Sequence, residues 1–360
     1  MKLNLKNLPN MDSIRNLMIK AKVVRKEDNL IQIGLDIGTH SVKAVAINQS
    51  ESKAKLIGFS VKSAEGDIIK AIKDAHAQLN LTQAKVVTSI SGSGAVARYV
   101  EMPSMSPDEL KSAVKFEAEK VIPYKLDDVI LDSARIEDVG KNRMKVVIVA
   151  VKKDVVETHL KILEQAGLEP SCLDIDSFAL MNAFSAAAFD NENVCGLVNI
   201  GAKRTNLNII KGASSYLCRD IDIGGNDIIR LIASNYSGQE KDLKKIDEKL
   251  MGFEQLPDDE KAAMARYLEE VLSRLADEIR LSFDFYENQH AGGINKVYVS
   301  GGLASLEIVE TFLKESLGRD TARWNSLAGV DISEGLDAQV LEKVQSQLAV
   351  SIGLGLRSIY

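Results

Sequence analysis

The order of secondary-structure patterns in this chain predicts a mixed α/β fold made of two related domains with a smaller subdomain inserted in the first. Three observations carry that expectation. Closely spaced strand patterns open the globular part at Leu30, helical and strand patterns then alternate, and the opening pattern returns after Val194.

The bulk properties are compatible with that plan. At roughly 100–200 residues per domain, 360 residues make two or three domains. A hydrophobic content of 45% is enough for sizeable cores, and six prolines with no long biased tract argue against disorder. The net charge of -6 excludes a general nucleic-acid binder, which carries a basic face. Cys172, Cys195 and Cys218 have no paired spacing and read as reduced core residues of a cytosolic protein. No apolar run reaches the ~20 residues of a spanning helix, and the basic N-terminus leads into no signal-length apolar core. The expected location is therefore the cytoplasm.

Residues 1–29 read as an extension in which Ile14, Leu17, Met18 and Ala21 recur at helical spacing among basic residues. The first domain is expected over 30–95, 170–192 and 346–360. Ile31, Ile33, Leu35 and Ile37 alternate as in a strand, Ser41–Ile47 and Lys55–Val61 are two more, and Asp67–Leu79 is a helix with Ile68, Ile69, Ile72, Ala75 and Leu79 on one face. A further strand covers Lys85–Ile90, and Ser91-Gly92-Ser93-Gly94-Ala95 bends the chain into an inserted subdomain, 96–169. There, Ser106 and Glu109 make a capping box for a helix from Pro107 to Val121 that Pro123 closes. Val129–Ile136 and Lys145–Val151 pair across Gly140-Lys141-Asn142, and the helix Asp154–Ala166 ends on Gly167. The second domain, 193–345, begins with strands at Val194–Ile200, Thr205–Ile210 and Ala213–Ile221, continues as a charged helical subdomain over about 225–292, and adds a strand at Lys296–Ser300 and a helix at Leu306–Leu317. An apolar helix, Leu348–Leu356, closes the chain.

The chemistry lies in the repeat. Ile33 to Val45, containing Asp36-Ile37-Gly38-Thr39-His40-Ser41, and Gly196 to Asn208, containing Asn199-Ile200-Gly201-Ala202-Lys203, are each an apolar strand, an Asp or Asn, Ile-Gly, a tight polar turn and a second strand. Glycine lets the backbone approach a ligand closely, and successive amides in such a turn form an anion-binding nest. The hydroxyls of Thr39, Ser41 and Thr205 are candidate extra donors. Asp36 would repel a phosphate unless Mg²⁺ lay between them, so it is the candidate metal residue, acting through waters. A third glycine pair, Gly301-Gly302, follows a strand. No G-x-x-x-x-G-K-[ST] loop and no G-x-G-x-x-G after a strand is present.

These motifs resemble those of the PilM family, the actin-like cytoplasmic component of type IV pilus assembly, related in fold to FtsA. The resemblance covers about residues 30–358. Gly34 to Val45 is similar to the family's first phosphate motif and Asn199 to Asn206 to its second. Arg219 to Gly225 resembles the segment leaving the second hairpin, Val299 to Ala304 the adenosine-contacting turn, and Ala349 to Arg357 the closing helix. Leu173 to Leu180 resembles the family's return into the first domain. Tyr99 to Pro123 resembles the inserted subdomain shared with FtsA, which sugar kinases and Hsp70 proteins lack.

The resemblance implies an actin-like ATPase fold with ATP and Mg²⁺ between the domains. Its candidate contacts are Asp36, Gly38, Thr39, His40, Ser41, Lys43, Asn199, Gly201, Ala202, Lys203, Thr205, Asn206, Gly224, Gly225, Gly301, Gly302 and Leu303. Glu240 and Lys244, at i, i+4 on one helix face, are candidates for the ribose or adenine. Two residues depart from the family pattern. Asn199 replaces an Asp, and an amide supplies no carboxylate to a metal or attacking water, so hydrolysis is expected to be slow or absent. His40 stands where small hydroxyl residues are common.

The function implied is an ATP-binding scaffold of the pilus inner-membrane assembly complex that captures the N-terminal peptide, of the form Ile-Asn-Leu-Leu-Pro, of a PilN-like membrane protein. Leu3-Asn4-Leu5-Lys6-Asn7-Leu8-Pro9 echoes that peptide and is a candidate competitor for the same groove. An alternative is an FtsA-like filament that self-associates. The sequence ends at Tyr360 with no amphipathic helix after the closing one, so this reading relies on Ile14–Ala21 to meet lipid. A small-molecule kinase would need a catalytic base, for which Asp174 and Asp176 are the candidates.

Overall fold

The computed structural model describes residues 30–50, 53–81, 84–187, 193–212, 214–235, 242–290 and 292–357. The expected N-terminal helix, the Leu3–Pro9 segment and Glu240 lie outside the described residues.

β1 (Leu30–Ile37), β2 (Ser41–Gln49) and β3 (Ala54–Ser63) form an antiparallel meander. β4 (Lys85–Ile90) and β8 (Pro170–Ile175) extend it in parallel on the far side of β1. With β14 (Asp331–Ile332) at the edge, the sheet order is β14-β3-β2-β1-β4-β8. This sheet is buried on both faces. Ile33, Leu35, Val42, Ala44 and Ala46 pack against α1 (Ile68–Gln78) and α3 (Lys153–Ala166). Val45 and Ile47, pointing the other way by the period of two, pack with α4 (Asp176–Ala186) and the closing helix α10 (Ala349–Gly355). Gln32 and Gln49 donate their side-chain amides to the carbonyls of Leu354 and Gly355, at 2.8 and 2.6 Å, so strand side chains satisfy the end of the closing helix.

The second sheet has the order β11-β10-β9-β12-β13, built from β9 (Val194–Ile200), β10 (Thr205–Lys211), β11 (Ser214–Ile221), β12 (Lys296–Gly301) and β13 (Asp320–Arg323). One face carries α5 (Gly225–Asn235), α6 (Leu243–Met251), the 32-residue α7 (Asp258–Gln289) and α8 (Glu307–Leu317). The other face meets the core around α4 and α10, where Phe184 stacks edge-on against Tyr298 and Trp324 at centroid distances of 5.0 and 5.6 Å. One hydrophobic cluster therefore joins both sheets.

The inserted unit is a three-stranded antiparallel sheet, β5-β7-β6, from β5 (Ala95–Pro103), β6 (Val129–Asp138) and β7 (Arg143–Lys152), with α2 (Pro107–Val121) on one face. The capping box of Ser106 and Glu109 is formed, with both reciprocal bonds in place. The sheet's other face packs on Ile90, Leu173 and Ile175. Tyr99 of β5 donates to Ser215 of β11 at 2.7 Å, so the insertion also touches the second sheet. The short strands β13 and β14 and the helix α9 (Ala338–Val344) were not expected from the sequence; each is too short for periodicity to show.

Candidate functional site

The two repeat segments fold into matching hairpins whose turns face one cleft. In the first, the Gly38 amide donates to the Ser41 carbonyl at 3.1 Å; in the second, the Gly201 amide donates to the Arg204 carbonyl at 2.8 Å. A Cβ added to either glycine would lie 2.9 Å from that same carbonyl oxygen, so both turns need the absent side chain for the same reason. The cross-strand pairs also correspond: Asp36 opposes Lys43, and Asn199 opposes Asn206. Lys43 Nζ lies 3.2 Å from Asp36 Oδ2, an ion pair. Asn199 Nδ2 donates to Asn206 Oδ1 at 3.2 Å, a neutral counterpart.

Gly301, with φ +95°, ends β12 beside the second hairpin. A Cβ there would sit 2.3 Å from the Ile200 carbonyl oxygen, so glycine is required by both conformation and space. Together the turns line a cavity of ≈ 490 Å³. Of the sequence candidates, Asp36, Gly38, Thr39, His40, Ser41, Lys43, Asn199, Gly201, Ala202, Lys203, Asn206, Gly225, Gly301, Gly302 and Leu303 line it.

Three candidates stand elsewhere. Thr205 is fully buried and its hydroxyl donates to the Ile223 carbonyl at 2.8 Å, so it is no donor to the cleft. Gly224 sits behind the second turn, where a Cβ would lie 2.7 Å from the Ala202 and Gly201 carbonyl oxygens. Lys244 is exposed in the first turn of α6 and does not line the cavity; Asp247, Leu250 and Met251 do so from the same helix. The helix expected to contact the ligand therefore reaches the cleft through a different face.

The sequence did not place one wall in the ligand site, although it offered Asp176 as the catalytic base of a kinase. Ser89, Ile90 and Ser91 at the end of β4, Asp154, Thr158 and His159 of α3, and Asp176 at the start of α4 all line the cavity. Asp176 accepts from Ser89 Oγ at 2.6 Å. Burial, and next the negative charge of Asp36, push its carboxyl up to about 7. Asp174, the other acid singled out in the sequence, is buried and paired with Arg357, so it is occupied as an anchor of the closing segment. His159 Nε2 lies 3.1 Å from Thr88 Oγ1, and burial pushes its pKa down to about 4, so the ring is neutral. No sequence signal separated His159 from an ordinary helix residue. At the mouth, His40 of the first turn faces Asp247 of α6 at 3.7 Å; burial raises the Asp247 pKa, His40 opposes that rise, and Glu65 and Glu248 add to it.

This arrangement suits a polyanion with a bound cation. Two turns offer backbone amides, Lys43 supplies a positive charge, and the Asp36–Asp176 pair of acids would be relieved by a divalent ion. Among the described residues no group of three or more His, Cys, Asp or Glu is placed to hold a metal, so such an ion would depend on water and ligand oxygens for most of its shell. No helix among the described residues is long and apolar enough to cross a membrane.

Comparison with solved structures gives a PilM–PilN type IV pilus biogenesis complex at TM-score 0.80 and 24% identity, covering 91% of this chain and 98% of that one. The ethanolamine utilization protein EutJ from Carboxydothermus hydrogenoformans aligns at TM-score 0.50 and 15% identity, over 96% of this chain and 97% of that one. The fold is thus the actin-like ATPase fold. The model of the family described as Type IV pilus assembly protein PilM matches residues 34–359, which carry both hairpins, the insertion and the closing helix, and the chain belongs to that family.

Proposed function

We propose that this protein is an ATP-binding scaffold of the type IV pilus inner-membrane assembly complex, held at the inner face of that membrane by the N-terminal cytoplasmic peptide of a PilN-like partner. The observation that carries the nucleotide half is the pair of equivalent hairpins, with Gly38 and Gly201 in the same geometry and both lining one cavity. ATP phosphates would take the turn amides and Lys43, and Mg²⁺ would lie by Asp36 and Asp176 and neutralise the charge between them and the phosphates. The nucleobase end would meet Ile229, Leu250, Met251 and Leu303. Family membership and the likeness to a PilM–PilN complex support the partner half.

The residues also support slow turnover. Asn199 offers an amide where the equivalent position of the first hairpin has the carboxylate Asp36, and a neutral amide neither holds a metal as a carboxylate does nor takes a proton from water. Titration calorimetry of the full chain with Mg²⁺ and a non-hydrolysable ATP analogue, and separately with a synthetic peptide of the form Ile-Asn-Leu-Leu-Pro, tests the proposal. Saturable binding of each is expected. Absence of nucleotide binding would remove the first half, and absence of peptide binding the second.

A further inference from the structure

The second hairpin does not end its polar pairing at Asn206. Asn206 Nδ2 donates onward to Asp220 Oδ1 on β11, and the other oxygen of Asp220 accepts the backbone N–H of Gly92, in the loop that leads into the inserted subdomain. At the opposite end, Ser300 Oγ of β12 donates to Asn199 Oδ1 at 3.1 Å. The result is one continuous chain, Ser300 to Asn199 to Asn206 to Asp220 to Gly92, crossing four strands of the sheet. Among the described residues the first hairpin shows no such chain, and Asp36 pairs with Lys43 directly across from it.

We propose that Asp220 is a positioning residue for the second phosphate hairpin: it sets the polarity of the Asn206 and Asn199 amides and so decides which atoms Asn199 turns toward the cleft. The proposal rests on the nucleotide reading of the cleft. Its logic is donor–acceptor arithmetic. A primary amide must present oxygen at one end and N–H at the other, whereas a carboxylate accepts at both oxygens. Gly92 N–H and Asn206 Nδ2 both donate to Asp220, which leaves Asn206 with its oxygen toward Asn199, and Asn199 with its N–H toward Asn206 and its oxygen toward Ser300. The carboxylate that the first hairpin keeps at the cleft is, in the second, two links away at the entrance to the insertion. Asn206 is 5% exposed, so water relieves a mismatched link there only in part.

This predicts what restoring a carboxylate to the cleft requires. In Asn199→Asp, a carboxylate oxygen faces the Asn206 oxygen. If Asn206 turns over, its oxygen faces Asp220 instead, so one repulsive contact persists in either state. In Asn199→Asp/Asp220→Asn the whole chain reverses: Asn206 donates to the new carboxylate, its oxygen accepts from the new amide, and that amide's oxygen still accepts from Gly92. Asp220→Asn alone permits the same reversal, with Ser300 Oγ accepting.

The test measures melting temperature, and affinity for Mg²⁺ with a non-hydrolysable ATP analogue, in the wild type and these three variants. Asn199→Asp is expected to melt several degrees lower than wild type, Asp220→Asn close to it, and the double variant to recover. The double variant should bind the analogue about tenfold or more tightly than Asn199→Asp, the size of one mismatched buried polar contact. Effects that add across the cycle, or an Asn199→Asp that melts like wild type, would overturn the proposal. A non-additive melting cycle in a protein that fails to bind the analogue would keep the chain's polarity and remove the nucleotide reading.

Discussion

Asp176→Asn should make the ligand-free protein more resistant to alkaline pH. Asp176 starts α4, beside Ser89 of β4 and near Asp36, with its carboxyl moved from 3.8 to about 7. Because the folded protein holds this proton more tightly than the unfolded chain does, the group favours folding least at high pH. Its contribution is undiminished below pH ~4, declines as pH rises, and is lost above ~7. At about 1.4 kcal/mol per tenfold change in proton affinity, moving from 3.8 to about 7 amounts to at most about 4 kcal/mol by pH 8. Two features of the structure reduce that figure. The carboxylate lines the cleft, where water reaches it, and it lies in the first turn of α4, where the helix end favours an anion by ~0.3–1 kcal/mol. A net effect of about 1–2 kcal/mol remains, or ~1–3 °C in melting temperature for a chain of this length. Asparagine keeps the bond from Ser89 and carries no charge. Differential scanning fluorimetry of both proteins from pH 5 to 8.5 should therefore show curves that diverge as pH rises, with Asp176→Asn above. Added Mg²⁺ with a nucleotide analogue should narrow the gap by stabilising the wild-type anion. A gap that is constant with pH would refute the reasoning, since only titration of Asp176 makes it grow.

Other substitutions separate ligand contacts from scaffold. Gly301→Ala puts a methyl 2.3 Å from the Ile200 carbonyl oxygen at a φ of +95°, and should cost about 2–4 kcal/mol and lower nucleotide affinity at least tenfold, read by calorimetry and thermal melting. Thr205→Val removes the donor to the Ile223 carbonyl and should cost about 1–2 kcal/mol in chemical denaturation while leaving nucleotide affinity within about twofold; a large loss of affinity would return Thr205 to the site. Asp174→Ala removes one buried partner of Arg357 and should destabilise by about 1–3 kcal/mol in denaturant melts.

Much of the site was legible because both hairpins are local. A strand, an Asp or Asn, Ile-Gly, a polar turn and a second strand lie within about a dozen residues, so the chain's own order puts Asp36 across from Lys43 and Asn199 across from Asn206. The capping box of α2 and the glycine that ends α3 were readable for the same reason. What sequence patterns missed depends on direction and on distance along the chain. Thr205 and Asn206 are adjacent, yet the pleat turns one into the core and the other toward the cleft, and only packing decides which. On α6, helix rotation brings Asp247 to the cleft and leaves Lys244 in solvent.

The sequence alone therefore determined the α/β order, the duplication, the two glycine turns and the family, since each is encoded by spacing within short segments. Tertiary structure decided the rest of the cleft. It moved Asp176 beside Asp36, far apart in sequence, so that the charge of Asp36 raises the Asp176 pKa only once the sheet is assembled. It also linked Asn199 to Asp220 and Gly92, because hydrogen-bond polarity passes between neighbouring strands whatever their order in the chain.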